Sequence, residues 1–157
     1  KVAFQAGIAW IEDVVRGQWA AAEREQVIQQ VAEADAQQYQ SHSAVMIWLE
    51  QEPGSSGKES AEASLRRLAG FVARADRPTG EKLSRAEPLS SAARAGNVRL
   101  VRGGWNDAFL RELEAAGPGA AFLDQVDAAA GAYNRLARGE GSVSASIVSL
   151  ERVSLWR

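Results

Sequence analysis

The segment that most constrains this chain is "SAVMIWLEQ", residues 43–51. Its apolar residues are consecutive rather than alternating, which fits a strand buried on both faces. Such a strand needs helices above and below it. Glu50 and Gln51 end the run, and "EPGSSGK" breaks it.

The flanking patterns alternate between strand and helix. "VAFQAGIAWIEDVVRG" is rich in β-branched and aromatic residues and reads as one or two strands, with no turn separating Trp10 from Ile11. "AAAEREQVIQQVAEADAQQY" sets Val27, Ile28 and Val31 on an Ala/Gln/Glu background and reads as a helix. "ESAEASLRRLAG" is a helix closed by Gly70. "FVARADRP" is a short strand stopped by Pro78. "EKLSRAEPLSSAARAG" is a helix interrupted or kinked at Pro88, and "NVRLVRG" is a strand. "WNDAFLRELEAAG" carries Trp105, Phe109, Leu110 and Leu113 at helical spacing. Phe122–Ala137 is the last helix, and "SVSASIVSLERVSLWR" is an edge strand or a loosely attached segment. The expected architecture is α/β, a mixed sheet with helices on both faces, over residues 1–140, followed by a tail at 141–157. The opening on strand-like sequence without Met reads as a numbering that starts partway through a larger protein.

Composition removes several function classes. The chain has no cysteine, which rules out disulfides, thiolate metal sites and a Cys nucleophile. His42 is the sole histidine, set in the polar loop "QSHSA", so a multi-histidine zinc site is excluded. No nucleophile elbow is present for a serine hydrolase. "PGSSGK" lacks phosphate-loop spacing, because Glu59 follows Lys58 where Ser or Thr is required. A glycine-rich turn opening a helix still offers backbone N–H groups to a single phosphate. No apolar run reaches the roughly 18 residues that span a bilayer. The net charge of −2 does not announce a nucleic-acid binder. Arg74, Arg77, Lys82 and Arg85 nevertheless surround a Pro-Thr-Gly turn, where they would line a phosphate backbone path or form a solvated charged surface.

The acids are the remaining chemical signal. In open α/β sheets ligands gather beyond the carboxyl ends of strands, where Glu50 and Glu52 fall. The plainer reading is that a strand ends where it meets water. Asp124 and Asp127 are three residues apart and so neighbours on one helix surface. Phe122, Val126, Ala129, Tyr133 and Leu136 form the apolar stripe, and both aspartates lie roughly 140–200° round the helix from Phe122. That favours solvated first-turn acids that complement the helix dipole. If the fold turned them toward Glu50, the three carboxylates would make a hard oxygen site for Mg²⁺ or Mn²⁺.

Taken in order, "IEDVVRGQWAAAEREQVI", the long stretch from "LEQEPGSSGK" through "RPTGEKLSRAEP" and "GNVRLVRGGWN" to "RELEA", and "LDQVDAAAGAYNRLA" resemble the C-terminal nuclease region of tailed-bacteriophage terminase large subunits. The resemblance covers most of Ile11 to Ala137. It implies a ribonuclease-H-like fold and an endonuclease that cuts concatemeric viral double-stranded DNA with two divalent ions, Mg or Mn. It also implies an upstream ATPase domain in the same polypeptide, partnership with portal protein and the small terminase subunit, no membrane, and a place in the host cytoplasm, transiently at the procapsid. No ATPase motif lies in this chain. By motif position, Glu50 matches the acid ending the second catalytic strand, Asp127 the helix aspartate, and Asp124 the acid three residues earlier. Glu52 matches a supporting partner, and Lys58, Arg77, Lys82 and Arg85 fall along the expected DNA path.

The chain departs from the family pattern in two places. Phe122-Leu123-Asp124 stands where the family reads His-Asp-Asp, and residues 1–10 contain no Asp or Glu to match the family's first-strand aspartate. These departures motivate an alternative: a catalytically inactive ribonuclease-H-like module that binds DNA or portal protein. A resolvase- or integrase-like nuclease is a third reading.

Overall fold

The computed structural model describes residues 1–140 and the strand Ser144–Val148. Its strands are β1 (Val2–Gln5), β2 (Ile8–Ile11), β3 (Val45–Glu50), β4 (Val72–Asp76), β5 (Val98–Leu100) and β6 (Ser144–Val148). The helices are α1 (Ala21–Tyr39), α2 (Ser55–Arg67), α3 (Lys82–Arg94), α4 (Asn106–Ala115) and α5 (Asp124–Ala137). The strands form one mixed sheet in the order β4-β3-β6-β1-β2-β5. β1 is antiparallel to both its neighbours, and the remaining pairings are parallel.

The opening apolar segment is a hairpin. Gln5 pairs with Ile8 across Ala6-Gly7, both at positive φ (49° and 80°). Positive φ at both central residues is what a two-residue turn needs to follow strand twist. Ala at the first central position hides this turn from a reading based on Asn-Gly or Asp-Gly. β2 then runs through Trp10 to its last residue, Ile11.

β3 is the double-sided strand its sequence implied. Ile47 and Leu49 pack with Ile28 and Ala32 of α1 and with Leu68. Trp48, on the opposite face, joins Leu89 of α3, Phe109 of α4 and Ala129, Ala130, Ala132 and Leu136 of α5. Helices α1 and α2 therefore cover one face of the sheet and α3, α4 and α5 the other, which is the expected α/β architecture. Alternation along β3 puts Glu50 on the α3–α5 side with Trp48. Among the described residues no helix is long and apolar enough to cross a membrane.

Four sequence expectations are corrected. The break "EPGSSGK" is shorter than expected, because α2 starts at Ser55. Pro88 does not interrupt α3, which continues through it to Arg94; a single proline removes one helical hydrogen bond, and Leu89 is buried in the core beside it. Phe122 is not part of the α5 stripe: it precedes the helix and is 74% exposed. The tail strand β6 is not at an edge. It lies between β3 and β1, parallel to the first and antiparallel to the second, and links the two halves of the sheet. The other tail residues, Trp156 included, lie outside the described residues.

Candidate active site

α5 carries the helix acids and is held on three sides. Its start has no side-chain cap of its own at Leu123. Glu112 of α4 supplies one: Oε1 accepts from the backbone N–H of Gln125 at 2.7 Å and of Val126 at 3.0 Å. Its other oxygen accepts from Gln125 Nε2 at 2.5 Å. A carboxylate on these N–H groups satisfies helix-start donors and complements the dipole. Toward the sheet, Tyr133 packs edge-on against Phe4 at 5.4 Å. Toward α3, Asn134 Nδ2 donates to the carbonyl of Arg85 at 2.9 Å.

This enclosure overturns the expectation of a solvated face for Asp127 but not for Asp124, whose side chain is 44% exposed. Asp127 is buried, 7% exposed, because α5 packs on the sheet with one side and on α3 with another. A burial of that kind is costly for a charge unless it is paired. Arg85 pairs it with a two-pronged contact: Nε donates to Oδ1 at 3.0 Å and Nη2 to Oδ2 at 2.5 Å. The remaining prong, Nη1, donates to the carbonyl of Gly80 at 2.6 Å. One turn earlier, Lys82 Nζ donates to Asp124 Oδ1 at 2.8 Å. Lys82 and Arg85 are therefore bound to the two acids of the helix rather than standing clear as a basic surface.

At the strand ends, Glu50 of β3 is in register with Asp76 of β4. Asp76 is ion-paired to Arg135 of α5. Arg135 also lies over the Trp48 ring, 4.1 Å from its centroid, and donates to Glu140 Oε2 at 2.5 Å. That hydrogen bond, offset in part by desolvation, holds the Glu140 carboxyl below its ordinary value. α5 thus reaches the acid-bearing strand ends on Glu50's side of the sheet, through Arg135. Asp76, Arg135 and Glu112 escaped the sequence reading. Asp76 had a visible signal, an acid ending the strand "FVARAD"; the other two act through partners distant in sequence.

The other expected residues are dispersed. Glu52 and Lys58 are exposed around the start of α2, where Lys58 faces Glu62 of its own helix at 3.8 Å. Arg77 is exposed just past β4, and His42 is exposed with its ring 5.1 Å from that of Phe71. Carboxylates are the donors that Mg²⁺ and Mn²⁺ prefer, so the chemistry of the set suits such ions. The arrangement does not yet fit them. Among the described residues no three acids or histidines are gathered to hold a metal ion, and both oxygens of Asp127 are taken by Arg85. No step through a metal follows from this arrangement.

No curated protein and no solved structure matches the chain. A family model does: the terminase RNaseH-like domain, matched over residues 5–136, from β1 to the end of α5. The sheet order, the helices on both faces and a match spanning most of the described residues agree, and the chain belongs to the terminase RNaseH-like domain family.

Proposed function

We propose that this chain is the DNA-cutting domain of a packaging terminase, hydrolysing phosphodiester bonds of concatemeric viral double-stranded DNA. The observation that carries the reading is Asp127, a carboxylate buried and paired on the helix whose Arg135, further along, reaches Asp76 beside Glu50. A buried, paired carboxylate carries a desolvation cost that its ion pair need not repay as stability, which makes it a candidate for a functional role. Family membership supports a packaging nuclease role, with DNA and the packaging motor as partners. In this reading Glu50, Asp124 and Asp127 are the acids that would hold Mg or Mn, and Glu52 supports them. Such ions, when bound, would activate water and stabilise the leaving oxygen. Lys58 and Arg77, exposed near the same strand ends, and Lys82 and Arg85 on α3 would meet the DNA backbone. Portal protein, the small subunit, an upstream ATPase domain and a transient place at the procapsid belong to the same proposal.

The test is plasmid nicking with Mn²⁺. Asp127→Asn keeps the shape and removes the charge, and it should reduce cutting by at least about 100-fold. A variant that nicks as fast as the parent refutes the assignment. A second reading, an inactive module that binds DNA or portal protein, is favoured by the absence of a three-acid group among the described residues. Mn²⁺ titration separates the two, since the inactive module takes up no metal.

A further inference from the structure

Three arginines gather beside Trp48 on the α3–α5 side of the sheet. Arg135 lies 4.1 Å from the ring centroid, and Arg74 of β4, in register with Trp48, lies 5.7 Å from it. Arg138, at the end of α5, is the third. The Glu140 carboxyl is held down first by its hydrogen bond from Arg135, with desolvation opposing, and then by the charges of Arg135, Arg138 and Arg74. All three guanidinium groups therefore stand near one carboxylate. The acids are unequally shared. Arg135, only 17% exposed, pairs with both Asp76 and Glu140. Arg74 and Arg138 are exposed, and neither makes an ion pair among the described residues. Lys82 and Arg85, by contrast, are each bound to an acid of α5. Arg74 stands two residues before Asp76, which is in register with Glu50. Acids at a strand end repel a polyanion, and unpaired cations beside them offset that repulsion. A guanidinium fork also matches phosphate oxygens in geometry.

We propose that Arg74 and Arg138 form a DNA contact, each binding a backbone phosphate of a duplex laid across the ends of β3 and β4. The inference rests on the nuclease reading above and adds two residues to its DNA path. Arg135 and Trp48 support the contact without making it. Arg135 partly offsets the charges of Asp76 and Glu140, and the Trp48 ring attracts the Arg74 guanidinium. Phosphate contacts carry no base information, so binding at this face is indifferent to sequence.

The experiment measures binding of a short labelled duplex to the 157-residue chain by fluorescence anisotropy, in EDTA and over a series of KCl concentrations. Each phosphate contact contributes about 0.9 to the magnitude of the slope of log K against log salt. Arg74→Gln and Arg138→Gln should each reduce it by about 0.9, and the double variant by about 1.8. Arg66→Gln removes the same charge from an exposed position on α2, across the sheet, and should leave the slope unchanged. Arg74→Lys should restore it, because the contact needs the charge. Circular dichroism checks folding, and Arg138→Gln carries the test if Arg74→Gln does not fold. Parent-like slopes in both glutamine variants, or an equal fall in Arg66→Gln, overturn the contact and leave the nuclease reading standing. A parent that binds no duplex overturns both. If Asp127→Asn nicks as fast as the parent while the arginine variants lose slope, the contact stands and the nuclease assignment falls.

Discussion

Gly57→Ala tests how rigidly the turn after Glu50 is held. Gly57 is buried in the first turn of α2. A Cβ added there would lie 2.1 Å from the carbonyl oxygen of Glu52 and 2.7 Å from its carbonyl carbon. Two effects of opposite sign compete. Ala is favoured over Gly within a helix by about 1 kcal/mol. Overpacking typically costs about 1–3 kcal/mol, and here the obstacle is backbone, which no rotamer change relieves. The clash should win, leaving a net destabilisation of about 1–2 kcal/mol, or roughly 2–8 °C in Tm for a domain of this size. The strain should also displace residues 51–54 and, through them, the end of β3 at Glu50. Urea unfolding followed by tryptophan fluorescence measures the cost, because Trp48 is buried on the adjoining strand. Gly104→Ala is the control, since nothing lies within 4 Å of its added Cβ. If Gly57→Ala equals or exceeds the parent in stability, helix propensity has prevailed and the turn is not a rigid support for the site.

Two further outcomes follow from the contacts of α5. Glu112→Ala leaves the N–H groups of Gln125 and Val126 without their cap and should cost about 1–2 kcal/mol in chemical denaturation, with faster amide exchange through Asp127 as the local signature. Glu140→Gln bears on pH. The folded carboxyl is held below its ordinary value of 4.5, so its contribution is present above that value and is lost as pH falls through the folded value. The stability gap between parent and Glu140→Gln should therefore be constant from neutral pH down to about 4.5 and close below it; a gap that persists in strong acid would contradict the Arg135 pairing.

Much of the fold was legible because its signals are local. The double-sided β3 follows from consecutive apolar residues, and the helices follow from spacing, breakers and glycine stops. Ala6-Gly7 was missed because turn geometry there rests on backbone dihedrals that alanine rarely adopts. Phe122 misled the stripe of α5: hydrophobicity alone does not reveal that a helix begins two residues later, where Glu112 of another helix caps it. The interior place of β6 was hidden for a related reason, since its short, weakly alternating sequence says nothing about which strands it will join.

The sequence by itself determined the α/β class, the double burial of the central strand, the family, and the chemical kinds present: hard oxygen donors, an arginine-rich basic set and no thiols. These depend on residue type and short-range spacing, which the chain carries openly. Tertiary structure alone decided the environment of each acid. Helical periodicity put Asp124 and Asp127 on a solvated face, but packing of α3 against α5 brought Arg85 and Lys82 to them across 42 positions of sequence. Burial and charge pairing arise from contacts between elements. No local pattern encodes whether an aspartate will meet water, a metal ion or an arginine.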